Sequence, residues 1–172
     1  PSFDAAIALI GGTSSCHMAV SSAPRFIKGV WGPYYGAMLP GMWLNEGGQS
    51  ATGALIDFVI ENNAAYPDLL KQAQAQGLDV YSFLNHTLEK LITERGPELL
   101  DDRHVLPDHH GNRSPRANAA ARGMVSGLNL NMSTEEVAIW YGATIQSIAY
   151  GTRHIIEEMN SADYAISQIY IC

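Results

Sequence analysis

Positive charge is scarce in this chain. Lys and Arg number 10 against 17 Asp and Glu over 172 residues, a formal net charge of −7. An acidic chain without basic clusters excludes nucleic acid and anionic lipid as principal partners. No apolar run approaches the ~18–20 residues of a membrane span, so a spanning helix is excluded too. Cysteine is nearly absent: Cys16 and Cys172 make no disulfide framework, and a reducing, cytoplasmic compartment is the expectation. The sequence opens on Pro1 without Met and without a charged-then-apolar leader, so it reads as an excised or processed piece. Charge of either sign is sparse, at 16% of residues against about 25% in ordinary soluble domains. Two readings follow: an ordinary glycine-rich α/β domain, or a piece whose neighbours cover part of its surface. The second predicts exposed apolar patches and self-association.

What is abundant is glycine, 16 of 172 residues, above the ~7% background. Short apolar runs broken by glycine predict strands over 5–10, 17–21 and 26–31, a three-stranded meander occupying 5–44. Leu55, Ile56, Val59 and Ile60 then fall at helical spacing within 50–60. A polar, Ala-rich stretch over 62–76 restarts at Pro67. Phe83, Leu84, Leu88, Leu91 and Ile92 line one stripe of a helix over 80–95, ended by Gly96-Pro97. Together these make a helical insertion over about 62–100. An edge strand is expected at 105–107, a loop at 108–115, and a strand or turn at 124–130. Ser133 followed by Glu136 is a capping-box start for the longest helix, with Val137, Tyr141, Ile145, Ile148, Thr152, Ile155 and Met159 at steps of three or four. A strand-like run over 165–172 closes the chain. Strands first, then helices alternating with strands, predict one α/β domain.

Four segments can carry chemistry. Gly11-Gly12-Thr13-Ser14-Ser15-Cys16 sits at a strand-to-strand corner, where glycines let backbone N–H groups approach an anion and three hydroxyls add donors. It suits a phosphate or is a plain hairpin turn; it is not a P-loop, lacking the lysine and the following helix. Asn45-Glu46-Gly47-Gly48-Gln49-Ser50 reads as the entrance to the helix that carries Gly53. Unpaired N–H groups and the positive dipole end would be open to a ligand there. Gly53, one turn in, weakens that helix by roughly 1 kcal/mol, so a phosphate, another backbone or tight helix–sheet packing must approach it closely. His104, Asp108, His109 and His110 invite zinc, but adjacent histidines diverge and no second ligand pair stands at helical spacing. Arg113, in Gly111-Asn112-Arg113-Ser114-Pro115, can pair with a carboxylate or phosphate or pin its loop by a salt bridge. His17, His86 and His154 read as surface or satisfied residues. Cys16 as a nucleophile needs a base, and neighbouring His17 would face the other way on a strand.

Taken together, these segments resemble the FGGY carbohydrate kinases, the ribulokinase-like branch in particular. The resemblance rests on residues 11–18, Val30-Trp31-Gly32-Pro33-Tyr34, Trp43-Leu44-Asn45-Glu46-Gly47-Gly48-Gln49-Ser50, residues 107–115 and Arg122-Gly123-Met124-Val125-Ser126-Gly127-Leu128. It runs nearly end to end. It implies an actin-like ATPase fold of the ribonuclease H type, with residues 1–172 as one partial domain, the first part of the family's second domain. The implied activity is transfer of the ATP γ-phosphate, with Mg²⁺, to a primary hydroxyl of a pentulose or polyol, D-ribulose first. By the same resemblance Gly12, Thr13 and Ser14 hold the transferred phosphate, Gly53 and Asp57 adjoin the nucleotide phosphates, and Glu46 reads sugar hydroxyls. No residue is matched to a metal.

The family's catalytic Asp lies well before the Gly-Thr-Ser corner, and its adenine loop would follow Cys172. The expectation is that residues 1–172 alone are inactive and bind nucleotide weakly, their partners being the sugar and a first domain of the same protein. Two other classes stay open: a non-catalytic actin-like binding module, and a metallohydrolase built on the histidines.

Overall fold

The computed structural model describes residues 3–172. In chain order the elements are β1 (Ala6–Gly11), β2 (Ser15–Ser21), β3 (Trp31–Tyr35), β4 (Trp43–Gln49), α1 (Gly53–Glu61), α2 (Tyr66–Ala75), α3 (Val80–Arg95), β5 (His104–Leu106), β6 (Met124–Ser126), α4 (Thr134–Ser161) and β7 (Gln168–Ile171). They fall into two compact units. One comprises the chain up to Ala54, Pro107–Gly123 and Ile148–Cys172; the other comprises Leu55–Leu106 and Met124–Ser147.

The first unit holds a five-stranded sheet in the order β3-β4-β2-β1-β7. β1 to β4 pair antiparallel, and β7 joins β1 in parallel. The sequence predicts a three-stranded meander; the structure has four strands, and they are not a meander, because β2 pairs with β4 and β3 sits at the edge beyond it. The third is displaced as well: residues 26–30 are not a strand. Ile27 and Val30 are buried from a turn closed by the Val30 N–H on the Ile27 carbonyl at 3.2 Å, while Phe26 stays exposed. A run of apolar residues can plug a core from a loop, and its hydrophobicity alone does not distinguish that from a strand.

β4 is the larger correction. Asn45–Gln49 is the C-terminal part of β4, an interior strand of the sheet, and the helix starts only at Gly53. Glycines weaken a strand unless another group approaches closely, and both approaches are present. A Cβ on Gly47 would lie 2.6 Å from Ile155 Cγ2, and one on Gly48 would lie 2.5 Å from the Ser15 carbonyl oxygen. The inward face of the sheet packs Ile7 and Ala19 against Ile155, Met159, Tyr164 and Ile166, each such apolar side chain stabilising the fold by roughly 1.5–3 kcal/mol. Asn45 is fully buried there. Its Oδ1 accepts from Tyr164 Oη at 3.0 Å, and its Nδ2 donates to the Arg25 carbonyl at 3.1 Å.

The second unit is mainly helical. α2 and α3 lie within residues 62–100 and bury Leu69, Phe83, Leu84 and Leu91 with Val137 and Tyr141. Asp79 caps α3, its Oδ1 accepting from the Ser82 N–H at 3.0 Å, and Gly96 ends the helix in a positive-φ conformation. β5 and β6 form a separate two-stranded ladder. Ser133 caps α4, its Oγ accepting from the Glu136 N–H at 3.2 Å. The capping box is only half made, because the Glu136 carboxylate turns to Arg103 instead. Among the described residues no helix is long and apolar enough to cross a membrane.

Candidate functional site

The β1–β2 turn and β4 build the site in the first unit. Gly12, Thr13 and Ser14 form the exposed tip of the turn. Its carbonyls point at the start of α1: Gly12 O accepts from the Gly53 N–H and from Thr52 Oγ1, both at 2.9 Å. Thr13 O accepts from the Thr52 N–H at 2.9 Å and the Ala54 N–H at 3.2 Å. The first donors of α1 are thus occupied by the turn, not open to a ligand as the sequence predicts. Gly53 is the first residue of the helix, so it carries no interior penalty. A Cβ there would lie 2.7 Å from Gly12 O, so the close approach is by another backbone.

Clamping the carbonyls inward leaves the other side of the tip free. The Thr13 and Ser14 amides make no backbone hydrogen bond among the described residues, and both residues are exposed. Two amides and two hydroxyls on one small, glycine-flanked turn fit the oxygens of a phosphate group.

Glu46 stands on β4 opposite Met18 of β2 and Trp31 of β3. From that register the turn lies about five residues along the strand direction, roughly 16 Å at ~3.3 Å per residue. Successive side chains alternate faces. Glu46 and Gly48 therefore share the face away from Asn45, Gly47 and Gln49, which pack toward Tyr164, Ile155 and Thr152. Glu46 is ion-paired with Arg113, whose Nη2 donates to Glu46 Oε1. The Arg113 guanidinium lies 4.2 Å from the Trp31 ring centroid, and its Nη1 donates to Cys16 Sγ at 3.5 Å. Arg113 pairs with a carboxylate from a loop that is itself tied: Asp108 is buried and accepts from Asn112 Nδ2 at 2.8 Å. Trp31, Ser50, His110, Asn112 and Arg113 line an open pocket of about 440 Å³, and Glu46 adjoins it through Arg113.

His17 is fully buried on the opposite face, its Nε2 3.0 Å from Thr152 Oγ1. Burial first, then the Arg113 charge, push its pKa down to about 4, so it is neutral at pH 7. It cannot serve Cys16, which faces Arg113. Asp57 belongs to the second unit, on α1, where its carboxylate accepts from Tyr81 Oη. That bond, more than burial, raises the Tyr81 pKa to about 12. Of the histidine cluster, His104 is on β5 in the second unit, while Asp108, His109 and His110 belong to the first. Among the described residues no three His, Cys, Asp or Glu side chains gather to hold a metal. That Arg113 could pair with a carboxylate was legible in sequence, but that the carboxylate is Glu46 was not, because 67 residues separate them. The only signal was a lone arginine in a loop dense in turn residues.

Comparison with known proteins supplies the context. The model of the FGGY family of carbohydrate kinases, C-terminal domain, matches residues 7–172. An FGGY carbohydrate kinase domain-containing protein of Xenopus laevis is 55% identical over 168 residues, covering 96% of this chain and 30% of that protein. A D-ribulokinase of Saccharomyces cerevisiae is 36% identical over 169 residues, covering 96% of this chain and 24% of its own length. In fold, the xylulose kinase of Rhodospirillum rubrum superposes with a TM-score of 0.71 at 19% identity, over 99% of this chain and 30% of that one. The chain thus spans about 30% or less of the relatives it matches here.

Proposed function

The chain belongs to the FGGY family of carbohydrate kinases, and on that premise we propose that it works as part of an ATP-dependent kinase for a pentulose or polyol, D-ribulose first. The D-ribulokinase name of the yeast relative supports the choice of sugar. The observation that carries the reading is the placement in one unit of an exposed phosphate-sized turn and a fixed carboxylate. ATP with Mg²⁺ supplies a transferable phosphoryl group whose charge the metal neutralises. The turn residues Gly12, Thr13 and Ser14 would hold that phosphate through the free amides and hydroxyls, with Gly53 keeping the turn seated against α1. No residue of this chain is assigned to Mg²⁺.

Glu46 would accept hydrogen bonds from sugar hydroxyls. One carboxylate oxygen is taken by Arg113, leaving Oε2 for the sugar. Phosphoryl transfer is chiefly positioning and charge stabilisation, so fixing the sugar is a direct contribution to rate. The general base is proposed to come from the same polypeptide outside residues 1–172, as are further sugar contacts, and the enzyme is proposed to work in the cytoplasm. In the longer kinase, Glu46→Gln should raise the KM for D-ribulose about tenfold or more, the effect of losing a charged hydrogen bond, with the KM for ATP unchanged. An unchanged sugar KM would remove Glu46 from the substrate site. Residues 1–172 alone should form no ADP from ATP, Mg²⁺ and D-ribulose above background.

A further inference from the structure

The way Arg113 is held raises a question that the ion pair itself does not answer. A partly buried ion pair is by itself weak evidence of stabilisation, and the Arg113 and Glu46 side chains keep 17% and 22% of their surface exposed. Yet the guanidinium is held by several neighbours, with only its buried Nε lacking a hydrogen-bond partner among the described residues. The Trp31 ring covers one face at 4.2 Å. Cys16 Sγ accepts from Nη1 at 3.5 Å. Gly48 forms the floor: a Cβ there would stand 2.8 Å from Arg113 Nη1, so the strand is bare where the arginine lies on it. The loop that carries Arg113 is braced by Asp108 on Asn112, and by the reciprocal backbone bonds of Asn112 and Asn118 at 2.9 and 2.8 Å. Such restraint is wasted on a surface ion pair but suits a group that must point a second group.

We propose that Arg113 is a positioning residue for the sugar site: it fixes the direction of the Glu46 carboxylate, so that Oε2 meets the substrate hydroxyl without first being ordered. A glutamate has three side-chain torsions, and freezing them at the moment of binding weakens affinity. Arg113 freezes them beforehand, and Trp31 and Gly48 freeze Arg113. The planar fork matters, because it stacks on the indole while donating sideways, which an ammonium group cannot do. This inference rests on the sugar-binding reading of Glu46 and adds to it a residue that touches the substrate only through another.

The test is a mutant cycle in the longer kinase, read as sugar KM, ATP KM, kcat and melting temperature. Arg113→Gln should raise the sugar KM about tenfold, leave the ATP KM unchanged and barely move the melting temperature. Introduced into Glu46→Gln, it should add less than about twofold, because the group it aims is already gone. Arg113→Lys should restore only part of the loss. Trp31→Leu, at an exposed edge position, should raise the sugar KM by about two- to threefold and do nothing further in Glu46→Gln; it keeps the test decisive if Arg113→Gln fails to fold. If Glu46→Gln raises the sugar KM while Arg113→Gln and Trp31→Leu do not, the positioning role is overturned and the Glu46 reading stands. Equal effects of Arg113→Gln in both backgrounds also overturn it, since Arg113 would then act independently. If Glu46→Gln itself leaves the sugar KM unchanged, both readings fall.

Discussion

Each compact unit contains an arginine that pairs with a glutamate beside a tryptophan, and the two triads serve different ends. In the helical unit Arg103 meets Glu136 at 3.2 Å, 5.5 Å from the Trp140 ring, with side chains only 10% and 4% exposed. In the sheet unit Arg113 meets Glu46 over Trp31 at 4.2 Å, with 17% and 22% exposed. The residue types are the same and the burial is not. A buried pair cannot lose one partner without stranding the other's charge. A pair with 17% and 22% of its side chains exposed loses less, because water reaches the group left behind. The first triad therefore holds the α4 start in place, while the second contains the carboxylate proposed to meet the sugar.

The contrast is broken most strongly from the buried side. Glu136→Ala should lower stability by about 3 kcal/mol, the low end for a broken buried pair, measured by urea denaturation, because Arg103 then keeps only the exposed Asp102 carboxylate at 2.7 Å. A buried neutral imidazole gives the next largest effect. The unfolded His17 titrates near 6.5 and the folded one near 4, so between those values the unfolded chain binds the extra proton and is favoured. Its contribution is complete above about pH 6.5 and is lost as the pH falls toward 4, about 3 kcal/mol in all. His17→Gln should flatten that part of the stability–pH curve. Ser133→Ala removes the α4 cap and should cost about 1 kcal/mol, with Ser133→Asp near neutral. Smallest is Glu46→Gln, which should change stability by less than about 1 kcal/mol although it is the variant expected to damage the sugar KM most. A large destabilisation by Glu46→Gln would erase the distinction between the triads.

Much of the helical unit was legible in advance. The α3 stripe of Phe83, Leu84, Leu88 and Leu91 follows a period that only a helix places on one face, and Gly96-Pro97 stops it where the helix ends. The turn at 12–14 was also legible, since glycine and hydroxyl residues between two apolar runs have few other uses. β4 was not. Its Asn-Glu-Gly-Gly-Gln composition argues against a strand, and the reasons it forms one are Ile155 and the Ser15 carbonyl pressing on the bare glycines. The strand at 26–31 was misplaced because burial from a turn and burial from a strand leave the same apolar signature.

Family membership and the residue types of the site were determined by the sequence itself, because local chemistry such as hydroxyls on a glycine turn or a carboxylate among glycines is written in consecutive residues. Tertiary structure decided which groups remain available. Only folding brings the Gly12 and Thr13 carbonyls onto the first amides of α1, turning the free donors of the site from the helix to the turn. Only folding sets Arg113 against Glu46, across 67 residues of chain. Hydrogen bonds and ion pairs are satisfied by proximity in space, and separation along the chain places no limit on which partners meet.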